Sequence, residues 1–329
     1  MGNNNERDEL LAFVAEKYYQ EDKKQTEIAE MIGLTRSSVS RMLTEAREKK
    51  IVEIIIHRPF QYDHDLESKL RKTLNLKHVS VVVFSNQPDY DEIRKQLGKA
   101  ASRLLATLIE PGHKIGIAWG TTVQATIEAF ETAPIKDTTV VQLVGVLGST
   151  RHSYSAQILV EQMAHKIGGE GIYLYSPFIV ENEKTAASLL EDPTVERAVS
   201  VGKDCDIALM GIGTTKSEFC SLYKENHISL QDLKTIRAAD AVGDVCAIYF
   251  DIEGNLAPID FHKRRIGASL PGILEIPVRL GVAGNIEKAE AILGAACGGF
   301  INSLVTDNLT ALRVLELAEE HCQKDKKQP

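Results

Sequence analysis

The stretch TEIAEMIGLTRSSVSRMLTEAREKK, residues 26–50, decides how the rest of the chain is read. Ile28, Ala29 and Ile32 share one face at helical spacing, GLT (33–35) breaks that helix, and Val39, Leu43 and Ala46 repeat at i, i+4 and i+7 beyond it. Thr35 is a good N-cap for the second helix. A short turn at Gly33 and a small residue, Ala29, where two helices cross, predict a helix-turn-helix. With the apolar positions turned inward, Thr35, Arg36, Ser37, Ser38, Ser40, Arg41 and Thr44 are left outside. A plain helical hairpin shares the turn, but hydroxyls and arginines on the outer face are what DNA requires. An arginine fork matches guanine or phosphate, and Ser or Thr hydroxyls match either.

Charge sharpens the question. The 329 residues carry 38 Lys+Arg against 46 Asp+Glu, a net of −8. Residues 1–60 hold 10 basic and 11 acidic side chains, whereas 33–50 hold five basic (Arg36, Arg41, Arg47, Lys49, Lys50) against two acidic (Glu45, Glu48). The local positive excess is confined to the second helix. DNA affinity comes largely from neutralised phosphates, so one such module binds weakly. Two of them, held ~34 Å apart by a homodimer or homotetramer, would bind a palindromic or pseudo-palindromic operator.

Apolar residues at 43% and charged residues at 26% are ordinary globular usage. MGNNNERDELL has no basic region followed by an apolar core, and no run reaches the ~18 apolar residues of a membrane span. Cys205, Cys220, Cys246, Cys297 and Cys322 are odd in number and widely spaced, suggesting neither a disulfide framework nor a zinc site. A cytoplasmic protein with no cofactor and no membrane partner is expected.

Around the quoted stretch, 7–20 predicts a first helix and IVEIIIH (51–57) a strand ended by Pro59. From about residue 63 the pattern changes to apolar strands alternating with amphipathic helices. Strands are expected at 78–84, 114–119, 138–144, 172–175, 205–213, 246–251, 278–284 and 302–307. Continuous apolar runs, each followed by a helix, indicate a parallel sheet covered on both faces. The expected organisation is a DNA-binding domain over 1–60 and an α/β, Rossmann-like domain over 61–329.

Several segments together carry a resemblance: LTRSSVSRMLTEAREKKIVEIII, GIAWGTTVQ, VVQLVGVLG, LMGIGTT, AVGDVCAIYFDIEGN and VRLGVAGNIEKAEAILGAACGGFINSLVTDNLTA. The chain resembles the sugar-binding transcriptional regulators of the SorC/DeoR type over essentially its whole length. The resemblance implies a winged helix-turn-helix joined to an effector domain similar to phosphosugar isomerases and deaminases. It also implies assembly as dimers or tetramers, and DNA binding that changes when a phosphorylated sugar is bound. The expected function is therefore a repressor of a carbohydrate catabolic operon, controlled by a phosphorylated sugar.

The residues bear on that implication one by one. Gly120, Thr121 and Thr122 fall where a strand ends and a helix begins, a natural place for an anion, though they equally suit a plain capped βα turn. Lys288 sits near a helix start, where a cation opposes the macrodipole unless an anion arrives; Glu287 beside it could compensate instead. The matching lysine of G-x-x-x-K-A-E-A-I, which opens at Gly284, is a ligand contact in the family. Asp244 follows a glycine and precedes a strand, so its carboxylate suits sugar hydroxyls or a turn cap. Family patterns also place contacts at Gly145 and Ser155, with Gly148 nearby, and Gly213, Thr214 and Thr215 either wall the pocket or form a turn.

One position departs from the pattern. Some members carry Lys or Arg where Val144 stands, so a second phosphate or an imine is in doubt here; Arg151 and His152 could substitute. Two rival readings use the same fold: a regulator sensing a non-sugar phosphorylated signal, and a phosphosugar isomerase or deaminase. An enzyme is not expected. Asp244 and Asp251 are possible carboxylates and His152 and His262 possible acids, but no spacing joins them into a constellation.

Overall fold

The computed structural model describes residues 2–52, 61–85, 88–148 and 153–325. The chain divides into two compact units, Met1–Pro59 and Phe60–Pro329.

The first unit is built from α1 (Gly2–Tyr19), α2 (Gln25–Ile32) and α3 (Arg36–Glu48). Its core joins Leu11, Val14 and Ala15 to Ile28 and Ala29, and to Val39, Met42, Leu43 and Ala46. Gly33 ends α2 in the left-handed conformation, φ 68°, and Thr35 opens α3 by accepting a hydrogen bond from the Ser38 N–H at 3.2 Å. The strand expected over 51–57 begins as a bend at Ile51 and Val52, and the rest of it lies outside the described residues.

The second unit opens with α4 (His64–Thr73), β1 (His78–Val82), α5 (Tyr90–Leu108), β2 (Lys114–Ile117), α6 (Thr121–Ala129), β3 (Thr139–Gln142), α7 (Ala156–Ile167) and β4 (Glu170–Ile172). Then come α8 (Glu183–Leu190), α9 (Pro193–Lys203) and β5 (Ile207–Gly211). Next, β6 (Gly213–Thr214), β7 (Gly243–Val245) and β8 (Ile248–Phe250) make a separate antiparallel sheet, with α10 (Ser221–Lys224) and α11 (Leu230–Ala238) lying between β6 and β7 in sequence. After α12 (Leu270–Glu275), β9 (Val278–Val282) rejoins the main sheet, followed by α13 (Ala289–Cys297), β10 (Ser303–Asp307) and α14 (Asn308–Asp325).

The main sheet is seven-stranded, wholly parallel, and ordered β1-β10-β9-β5-β2-β3-β4. Its edge strand pairs with the last strand, His78 opposite Ser303. Alternation divides each strand between two cores: Ile207 and Leu209 of β5 face one, Ala208 and Met210 the other. Both faces are thus buried, which is why the strands read as unbroken apolar runs.

Two expected strands are corrected. The one expected at 172–175 lies at Glu170–Ile172, because the Leu174 backbone is satisfied by the Gln142 side chain instead of a ladder: Oε1 accepts from Leu174 N at 3.2 Å. The one expected at 246–251 is not part of the parallel sheet. Its apolar residues form β8 of the hairpin, and Cys246 and Ala247 make the two-residue turn with φ of 54° and 53°.

From β2 the chain works outward through β3 and β4, and from β5 it works outward the other way through β9 and β10. The connections leaving β2 and β5 therefore diverge, opening a crevice at the carboxyl ends of these neighbouring strands.

Candidate functional site

That crevice is occupied by a narrow cleft lined from both sides of the switch point. Trp119, Gly120, Thr121 and Thr122 come from the β2–α6 turn, Gly211 to Thr214 from the end of β5 and from β6, and Asp244, Cys246 and Lys288 close it. It encloses about 50 Å³, well below the ~300–1,000 Å³ of occupied ligand sites. As it stands the cleft is too small for a molecule the size of a sugar.

At one end lies α6. Gly120 adopts φ 132°, a value that side chains disfavour, and is held by its N–H donating to Tyr154 O at 3.1 Å. Having no side chain, it leaves the first N–H groups of α6 uncapped, the arrangement that receives anions. Thr122 is anchored differently from its neighbour, since its hydroxyl donates to Val282 O at 3.0 Å and fastens α6 to β9.

Lys288 stands beside this turn at the end of a 3-10 segment (Ile286–Lys288) leading into α13. It is 8% exposed, and its ammonium donates to Ile212 O at 3.0 Å. One donor is thereby used and the Tyr90 phenol draws on a second, which leaves one. Asp244 is 7% exposed, and its Oδ2 accepts from the Ala247 N–H at 2.9 Å across the hairpin turn. It is therefore both a turn cap and a wall of the cleft. Burial raises its pKa to about 6, against the lowering effects of that hydrogen bond and of the Lys288 and Arg265 charges.

Two contributors, Tyr90 and Arg265, are invisible in the sequence, and the part played by Gly213 takes its shape only in the fold. The Tyr90 phenol, at the start of α5, hydrogen-bonds with Thr121 and Lys288, and the Lys288 charge draws its pKa below the ordinary value. Gly213 leaves room for Asp244: a Cβ there would stand 2.0 Å from Asp244 Oδ1. The buried Arg265 guanidinium donates through Nε to Cys246 O at 2.6 Å and through Nη2 to Ala268 O, which fixes the back of the turn.

Among the described residues, Gly145, Ser155 and Gly284 do not line this cleft. A Cβ at Gly145 would strike the 177–178 backbone, and one at Gly284 would meet Asp307 Oδ2 and Leu97, so packing accounts for both glycines. Ser155 is the buried N-cap position of α7, next to the Tyr154 carbonyl that holds Gly120.

In the first unit, Arg36, Ser37, Ser40, Arg41 and Thr44 are exposed, and Ser38 is half-buried. Of the acidic side chains nearby, Glu45 and Asp8 are paired with other cations. Glu45 pairs with Arg7 at 2.6 Å, and Lys49 bridges Asp8 at 2.7 Å and Glu45 at 3.5 Å. Among the described residues, Arg36 and Arg41 form no ion pair, and they remain as uncompensated positive charge on the exposed face of α3.

Comparison with known proteins joins these two units. Residues 58–316 match the family described as "Putative sugar-binding domain", and residues 19–61 match the Crp-like helix-turn-helix domain. The chain is 31% identical to the deoxyribonucleoside regulator of Bacillus subtilis strain 168, across 93% of this chain and 97% of that one. It belongs to the family of sugar-binding-domain transcriptional regulators of the DeoR/SorC type. Transcriptional regulator LsrR of Escherichia coli K12 is 30% identical over 94% of this chain and 95% of its own. The full-length sorbitol operon regulator SorC from Klebsiella pneumoniae superposes with a TM-score of 0.72 at 25% identity, covering 94% and 99% of the two chains.

Within this sugar-binding-domain family, Val144 of the present chain is fully buried in the main core and bridges to Gly267, while Arg151 and His152 lie outside the described residues. Asp251 and His262 are committed elsewhere: Asp251 holds the Asn255 N–H at 2.8 Å, and His262 Nε2 accepts from Tyr249 N at 2.9 Å. Among the described residues no group of His, Cys, Asp and Glu is arranged to hold a metal ion, and no helix is long and apolar enough to cross a membrane.

Proposed function

We propose that this regulator is a cytoplasmic repressor of a carbohydrate catabolic operon, and that a singly phosphorylated sugar or polyol in the switch-point cleft weakens its hold on operator DNA. The observation carrying this reading is the placement of the buried Lys288 ammonium beside the uncapped start of α6, with the buried Asp244 carboxylate in the same cleft. A phosphate satisfies the cation and the free N–H groups, and ligand hydroxyls donate to the carboxylate. The names of its relatives, a deoxyribonucleoside regulator and a sorbitol operon regulator, agree with a polyhydroxylated effector.

The second half of the reading is the DNA contact. Thr35, Arg36, Ser37, Ser38, Ser40, Arg41 and Thr44 approach base edges and phosphates, and two copies in a dimer or tetramer meet the half-sites of a palindromic operator. Effector shifts operator affinity only by the difference in its affinity for the two arrangements of the assembly. No catalytic step is assigned to the cleft.

A thermal-shift screen with phosphorylated pentoses, hexoses and polyols tests the proposal, since a ligand at 100 times its Kd stabilises by ~2.7 kcal/mol. The true effector loses that stabilisation in Lys288→Ala and Thr121→Ala and releases wild-type protein from operator DNA. Operator affinity and oligomeric state both unchanged at saturating ligand would defeat it.

A further inference from the structure

A second cavity, of about 480 Å³, lies between α8, α9 and the outer side of the β7–β8 hairpin, and it shares no lining residue with the switch-point cleft. Its volume falls within the ~300–1,000 Å³ of small-molecule sites. Val199, Ile248 and Leu270 give its lining an apolar part. Lys203, His262 and Arg265 give it a basic part, with Glu196 as its carboxylate.

Arg265 makes this cavity unusual. It is 9% exposed, and the carbonyls of Cys246 and Ala268 engage only Nε and Nη2 of its guanidinium. Five N–H donors sit on that group. Among the described residues no carboxylate pairs with it, and burial lowers its pKa. Asp244 acts on it only from beyond ion-pair distance, and a buried guanidinium with no carboxylate in direct contact is costly, a cost that an anion reaching it through the cavity lowers. His262 adds a donor of its own: with Nε2 accepting from Tyr249 N, the ring proton sits on Nδ1.

We infer that this cavity is a second ligand site, taking a small organic anion whose acidic group meets Arg265 and Lys203 and whose apolar body lies on Val199, Ile248 and Leu270. The site stands back to back with the first cleft. Arg265 touches the carbonyl of Cys246, and the next N–H in the chain, that of Ala247, holds Asp244. An anion that draws on the guanidinium therefore acts on the turn that positions Asp244.

The test uses the full-length chain and calorimetric titration with 2-naphthoate, with neutral 2-naphthol as the comparison. Naphthoate is expected to bind saturably, at least about tenfold more tightly than naphthol, equivalent to ~1.4 kcal/mol. Ser200→Trp, on the exposed side of α9 and at the cavity rim, should abolish the heat, and Lys203→Glu, also exposed, should weaken binding about tenfold. Thermal unfolding confirms that both variants fold. The inference is overturned if naphthoate gives no saturable heat at millimolar concentration, if naphthol binds as tightly, or if Ser200→Trp binds naphthoate unchanged.

Discussion

Asp244 accepts a hydrogen bond from Ala247 at 2.9 Å across a hairpin turn whose two central residues, Cys246 and Ala247, are both left-handed although neither is glycine. Left-handed non-glycine residues cost on the order of 1–2 kcal/mol each, so the surrounding packing must impose the turn. Its effect is to hold a buried carboxylate facing the cleft.

The first prediction concerns pH. The folded protein holds the Asp244 proton more tightly than the unfolded chain does, with a pKa near 6 against 3.8. Its contribution to stability is thus full below about pH 3.8 and is lost as the pH rises through about 6. Asp244→Asn should flatten this part of the stability profile between pH 4 and 7 without lowering stability at pH 8. Effector affinity should rise as the carboxylate ionises, and calorimetry from pH 5 to 8 on both proteins separates this from ionisation of the ligand phosphate, which persists in the variant.

Gly213→Ala should act on the same carboxylate through space. The new methyl falls 2.0 Å from Asp244 Oδ1, so carboxylate or strand must shift. A stability loss of ~1–3 kcal/mol is expected, as for other overpacked sites, together with loss of the effector-induced thermal shift. A variant that retains wild-type effector affinity would remove Asp244 from the binding site.

On α3, Arg36→Ala and Arg41→Ala should weaken operator binding while leaving the unfolding temperature nearly unchanged, because both side chains are exposed and form no ion pair among the described residues. An arginine on phosphate reduces the slope of log K against log salt by ~1, whereas one reading guanine costs ~1–3 kcal/mol at one base pair only. Anisotropy titrations across salt, on operators with single base changes, assign each arginine to one role.

The closed cleft leads to a kinetic prediction. The segment from Lys216 to His227 supplies Cys220, Ser221 and Leu222 to its wall and is tied down at both ends. Lys216 pairs with Glu287 at 3.0 Å and Glu290 at 3.4 Å, and the Tyr154 hydroxyl donates to Glu225 at 2.5 Å. Tyr154→Phe should loosen the second tie and raise the effector association rate several-fold, followed by stopped-flow fluorescence of Trp119, the chain's single tryptophan. An unchanged rate would mean that entry does not depend on this segment.

Much of this architecture is legible in the sequence because its signals are local. Gly33, Thr35 and the spacing of Val39, Leu43 and Ala46 define a turn, a cap and a core within one short stretch. Continuous apolar runs announce the parallel strands, and Gly120 to Thr122 mark a strand-to-helix turn. The hairpin at 243–250 is hidden because two-residue turns are usually announced by Asn-Gly or Asp-Gly, and here Cys-Ala adopts that geometry under tertiary constraint. Tyr90 and Arg265 are hidden for another reason. Asp89 caps α5 by accepting from Glu92 N, a signal that marks the helix start but says nothing of Lys288, which a distant part of the chain brings to Tyr90. Arg265 looks like any basic surface residue among its neighbours Lys263 and Arg264 until the fold buries it.

The pairing of His78 with Ser303 also sets an order of events on the ribosome. The three-helix unit has its own core and depends on no residue beyond Val52 among those described. The main sheet lacks the partner of its first strand until β10 has emerged, roughly 10–50 s later at ~5–20 residues per second. A nascent chain therefore holds its helix-turn-helix before the sheet that frames the switch-point cleft can be completed.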